Sequence, residues 1–205
     1  MNEFLPFWRR AWSGIGANNH ADALYASLLE RYSEPQRHYH TLQHLGECLA
    51  SFDEVRALAQ HPHEVELALW FHDAIYEVKR SDNEQRSADW AQRTLLQAGV
   101  DADAAARVHA LIMATLHTAV PALPDQQLLV DIDLSILGAP EQRFAEYEQQ
   151  IRQEYAFVPK WLFRRKRRAI LQGFLDRPQI YSTAHFHAEL EQRARDNLRK
   201  AIAAA

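Results

Sequence analysis

Nine stretches of this chain repeat their apolar residues at intervals near 3.6, covering about 20–32, 41–59, 63–77, 82–98, 102–117, 126–137, 140–157, 159–176 and 184–201. That period gathers apolar side chains on one face of a helix and would scatter them over both faces of a strand. The interruptions are of the right kind. Ser33-Glu34-Pro35, His61-Pro62 and the 119–125 segment with Pro121 and Pro124 all stop helices. "SDNE" at 81–84 reads as a capping box with Ser81 as N-cap and Glu84 at N3, and Asp101 reads as the next cap. Gly138 falls where a C-terminal glycine belongs. With only 6 glycines and 8 prolines in 205 residues, helix-breaking positions are scarce. "LLVDID" at 128–133 is the one strand-like run, and it has no evident partner. The expected fold is all-α, a single-domain helical bundle over residues 1–205 with no internal linker.

Bulk charge removes several function classes. A net charge of -4 gives no global attraction to nucleic acid or to an anionic membrane, so neither is expected as a partner. Arg9 and Arg10 interrupt the apolar start, so it lacks the apolar stretch of a signal peptide. No later window reaches the roughly 18 apolar residues of a spanning helix. A cytoplasmic protein is the expectation. The single cysteine, Cys48, has no internal disulfide partner and reads as a buried structural thiol.

Three separated segments place metal-type ligands in apolar surroundings. "RHYHTLQHLGECL" at 37–49 holds three histidines in seven positions, and His40 and His44 are four apart, which stacks them on one helix face. "ALWFHDAIY" at 68–76 sets His72 and Asp73 inside an otherwise apolar helix. Adjacent helical positions point about 100° apart, so a cation between the two directions could take both. "LLVDIDLSILG" at 128–138 embeds Asp131 and Asp133 among leucine, valine and isoleucine. A carboxylate in such a place costs several kcal/mol unless paired or bound to a cation. Imidazoles with carboxylates suit a divalent transition metal, and without cysteine among the ligands a closed structural zinc site is not expected.

On these residues the chain resembles the HD-domain superfamily of metal-dependent phosphohydrolases, whose signature is a histidine, a His-Asp doublet and a more distant aspartate. "RHYHTLQH", "FHDAIYEV", "SDNEQRSA", "LVDIDLSILG" and the tail "FLDRPQIYSTAHFHAELEQRARDNL" are similar to a small bacterial branch of predicted phosphohydrolases, over roughly residues 30–200. The resemblance implies an HD-type domain with a metal-binding core at about 37–138 and C-terminal helices at about 140–201. It implies one divalent cation (Mn, Fe, Co, Ni, Zn or Mg) held by His44, His72, Asp73 and Asp133. It further implies hydrolysis of a phosphate ester or anhydride in a small, nucleotide-like substrate. His40 would be the acid or phosphate contact, and Asp73 or Glu84 the base that orients water, with Glu77 as the rival. Arg37 would clamp phosphate, because a guanidinium binds two of its oxygens at once. Asn83 and His117 are further candidates for substrate contact. Thr41 stands where cyclic-nucleotide phosphodiesterases carry asparagine, so that specificity is not implied.

Several of these residues have a plainer reading. Glu84 is explained as a capping residue, His117 as a helix-ending imidazole, and Asp131 as a supporting or surface carboxylate. "KWLFRRKRR" at 160–168 holds six basic side chains in nine. It reads as a phosphate-binding face, or as a solvated face pinned down by Trp161, Leu162 and Phe163. A metal- and nucleotide-binding regulatory module without turnover is the alternative function, and homo-oligomerisation is left open.

Overall fold

The computed structural model describes residues 3–19 and 21–204. Among them are ten α-helices: α1 (Leu5–Gly14), α2 (Asp22–Tyr32), α3 (Leu42–Val55), α4 (Pro62–Phe71), α5 (Asn83–Gln97), α6 (Ala102–Ala114), α7 (Pro124–Asp133), α8 (Glu141–Glu154), α9 (Lys160–Leu175) and α10 (Ala184–Ala204). Two short 3₁₀ segments, Arg56–Leu58 and Leu134–Gly138, follow α3 and α7. No strand occurs among the described residues, and the fold is all-α. The strand-like run 128–133 is the end of α7. Leu128, Leu129, Val130 and Ile132 are all buried, and so is Asp131, so a helix apolar on every side mimics a buried strand.

The first compact unit, Met1–Val130, is built around α4. Residues 64–71 are buried without exception, because α1, α3, α5 and α6 all pack on this helix. Its most deeply buried charge, Glu66, receives Arg10 of α1, with Nη2 2.6 Å from Oε1 and Nε 3.1 Å from Oε2. Burial pushes the Glu66 carboxyl up, against the pull of that hydrogen-bonded guanidinium. Trp8 of α1 stacks on Trp12 and meets Trp70 of α4 edge-on at 5.4 Å between ring centroids. At the start of α7, Asp125 accepts from the backbone N–H groups of Gln60 (2.7 Å) and His61 (2.9 Å) ahead of α4.

The second unit, Asp131–Ala205, packs α10 against the Leu134–Gly138 segment and against α9. Gly138 is not a left-handed C-cap. A Cβ there would lie 2.7 Å from the Leu190 Cβ, so glycine lets α10 approach the chain. Asp131 is also part of this anchorage. Its carboxylate accepts from the Ser182 N–H (2.9 Å), the Thr183 N–H (2.7 Å) and the Thr183 hydroxyl (2.7 Å), at the entry to α10.

Local signals differ in value. Asp101 caps α6 as expected, accepting from the Asp103 and Ala104 N–H groups. The capping box at 81–84 does not form: Asp82 precedes the first helical residue, no side chain caps it, and Glu84 lies one position earlier than expected. α1 lies outside the nine periodic stretches. It is held by aromatic partners distant in sequence.

Candidate metal centre

The doublet does not sit inside a helix. α4 ends at Phe71, and the His72 N–H closes its last turn on the Ala68 carbonyl at 2.9 Å. Leaving the helix frees Asp73 from the 100° stagger of adjacent helical residues. Its carboxylate folds back to lie 3.1 Å from the His72 Nε2 and 3.5 Å from the His44 Nε2. The two Nε2 atoms are themselves 3.1 Å apart. His44 and His72 are each 2% exposed, whereas Asp73 is only half-buried.

Proton placement gives this trio its meaning. The His72 Nδ1 lies 2.7 Å from the Leu69 carbonyl, which can only accept, so Nδ1 carries the hydrogen. Nε2 of neutral His72 is then a bare lone pair aimed at a second imidazole and a carboxylate oxygen. With the His44 Nε2 also unprotonated, three acceptors converge there, an arrangement that a cation satisfies. Bonds of about 2.1 Å set neighbouring ligand atoms about 3.0 Å apart in an octahedron and about 3.4 Å apart in a tetrahedron. The observed 3.1–3.5 Å spacings lie close to these values. The Leu69 carbonyl is the outer support that metal-binding histidines need. Burial would raise the Asp73 carboxyl, but it is held well below its ordinary value when the imidazoles facing it are protonated, by the charges of His72 and His40 and by hydrogen bonds from His44 and His72.

Cys48 belongs to the same cluster. One turn after His44 on α3, its Sγ is 3.7 Å from the His44 Nδ1, and the thiol is buried. One ligand atom from each of His44, Cys48 and His72 lies within 4.8 Å of the others. The thiol is buried, as expected, and its place in the cluster adds a candidate sulfur ligand to the expected set. The sequence does carry a signal for it: "HLGEC" spaces His44 and Cys48 by four residues on a helix.

The remaining expected residues divide. His40 lies before α3, whose N-cap is Thr41, so it does not share a helix face with His44. Its ring nevertheless comes within 6.0 Å of the His44 ring, centroid to centroid, and stacks on Tyr76 at 4.0 Å. Tyr76 is half-buried in this stack. Arg37, the expected phosphate clamp, has its guanidinium engaged by the protein. It is buried, and it donates to the carbonyls of His40 (3.1 Å), Asp73 (2.6 Å) and Ala74 (3.1 Å) and to the Glu34 carboxylate (3.1 Å). It therefore braces the His-Asp turn. Asn83 is likewise structural: its amide accepts from the Glu77 N–H and donates to the Glu77 carbonyl, both at 3.1 Å. Glu77 is exposed and paired with Arg86 at 2.6 Å. Glu84 is half-buried in the first turn of α5. His117 adopts a left-handed backbone, φ 54°, and closes the turn after α6. Asp133 is the last residue of α7 and half-buried.

No family model matches this chain, and neither a curated protein nor a solved structure does. Among the described residues no helix is long and apolar enough to cross a membrane. A buried cluster of histidine, cysteine and aspartate able to hold a metal ion is what the structure shows.

Proposed function

We propose that the protein is a metal-dependent phosphohydrolase of the HD type, acting on a phosphate ester or anhydride of a small, nucleotide-like molecule. One observation carries the reading: two imidazole Nε2 atoms and a carboxylate oxygen converge within 3.1–3.5 Å at a turn that is only partly closed to solvent. His44, His72 and Asp73 would hold one divalent cation, with Cys48 beside them. The HD resemblance adds Asp133 as the further carboxylate. The cation, when bound, lowers the pKa of water and polarises a phosphoryl group.

The chain's own residues supply the rest. Asp73, kept ionised, orients water and accepts its proton, with Glu84 as the other carboxylate for that role. His40, braced by the Tyr76 ring, holds a proton for the leaving oxygen. Arg37 fixes the turn that presents His72 and Asp73 by binding the Asp73 and Ala74 carbonyls.

The test is metal content after purification from medium supplied with Mn, Co, Ni and Zn, followed by hydrolysis of an aryl phosphate and a nucleotide panel. Asp73→Ala should lose both the metal and turnover; undiminished hydrolysis excludes this mechanism. A regulatory module that binds metal and nucleotide without turnover is favoured by one fact. The guanidinium expected to grip phosphate is committed to the fold. Metal binding with no turnover across the panel would select it.

A further inference from the structure

The basic run at 160–168 is not absorbed by the metal centre, and it borders a groove in the second unit. We propose that this groove, lined by α8, α9 and α10, binds a free anionic amphiphile: an apolar chain bearing one carboxylate or phosphate head. The cavity is about 510 Å³, within the range of small-molecule sites. Phe144, Ala145, Phe163, Ala201 and Ala204 supply apolar surface.

Its charge is lopsided. Five cations, Arg152, Lys160, Arg164, Arg167 and Lys200, line it against two carboxylates, Glu141 and Glu148. Arg167 is buried and paired with Glu148, and the Lys200 ammonium stands 3.0 Å from Glu141. Arg152 donates to the Tyr155 and Val158 carbonyls and lies 4.8 Å over the Phe163 ring. Among the described residues no carboxylate pairs with Lys160 or Arg164, both exposed. An apolar trough with two uncompensated cations at its rim selects a molecule that is apolar along its body and negative at one end.

Of the three residues expected to pin the run, Leu162 and Phe163 are half-buried and Trp161 is not. Trp161 is 67% exposed, and of α9 only Arg167 and Leu171 are fully buried. A second copy of the chain is a poor occupant, since a self-complementary contact would face two surfaces of the same positive sign.

Titration calorimetry on the full chain, with dodecanoate kept below micelle formation, tests this. Saturable binding of one dodecanoate is expected, with none of dodecyltrimethylammonium and no competition from inorganic phosphate. Lys160→Glu with Arg164→Glu should weaken binding by about tenfold or more. Ala145→Trp should block it, because residue 145 is exposed and the larger ring fills the trough without touching the core. Equal binding of the cationic amphiphile, or retention of affinity in both variants, overturns the proposal. So does binding to anionic phospholipid vesicles without binding of free dodecanoate, or a dimer that buries the groove. None of these outcomes bears on metal content, so failure here is distinct from failure of the phosphohydrolase reading.

Discussion

Replacing Asp131 by alanine should cost the protein about 3–5 kcal/mol of stability. The carboxylate is fully buried and accepts three hydrogen bonds at 2.7–2.9 Å, two from backbone N–H groups just ahead of α10. Alanine leaves both amides without that acceptor, and each buried, unsatisfied N–H costs about 1–3 kcal/mol. The negative charge at the start of α10 is lost as well, worth about 0.3–1 kcal/mol. The Asp131→Asn change keeps one acceptor oxygen and should cost less, about 1–3 kcal/mol. Urea unfolding at pH 7, followed by circular dichroism, measures both. The acid range adds a sign. Burial raises the Asp131 carboxyl, against the hydrogen bonds from Ser182 and Thr183. A group raised on folding gives its full contribution below its unfolded pKa of about 3.9 and loses part of it as pH rises through the folded value. Wild type should therefore lose ground to Asp131→Asn as pH climbs out of the acid range. Unfolding of Asp131→Ala within about 0.5 kcal/mol of wild type would refute the anchoring role, as that is what a surface change costs.

Two further outcomes follow from the metal centre and its brace. Cobalt(II) bound to the protein should show a near-ultraviolet sulfur-to-metal charge-transfer band that Cys48→Ser abolishes while cobalt stays bound; a band unchanged by the substitution would remove Cys48 from the ligand set. Arg37→Lys should lower stability by about 2–4 kcal/mol, because an ammonium cannot span the His40, Asp73 and Ala74 carbonyls together, and thermal unfolding reads the loss.

The helical architecture is legible in the sequence because its signals are local. Period, proline position and the Asp101 cap are written within a few residues of where they act. The doublet can be read for the same reason, since two polar residues in an apolar run demand a partner. Its conformation cannot: whether α4 ends at Phe71 or runs to residue 77 depends on the Arg37 and Tyr32 contacts that hold the turn. Arg37 misleads for a related cause. A guanidinium beside a metal motif suggests a ligand for phosphate, while burial against three carbonyls is set only by tertiary packing. Asp131 carries the opposite bias, and its partners lie about fifty residues away.

Glu66 gives the N-terminal helix an importance that its ten residues do not advertise. The carboxylate lies at the middle of the most enclosed helix in its unit, and Arg10 both neutralises it and bridges to Asp53 of α3. A shortened chain beginning after α1 would leave that buried charge only the longer, 3.8 Å contact with Arg56 and would uncover the Trp70 indole. Any attempt to trim the protein to its histidine-bearing segments would therefore dismantle the scaffold beneath them.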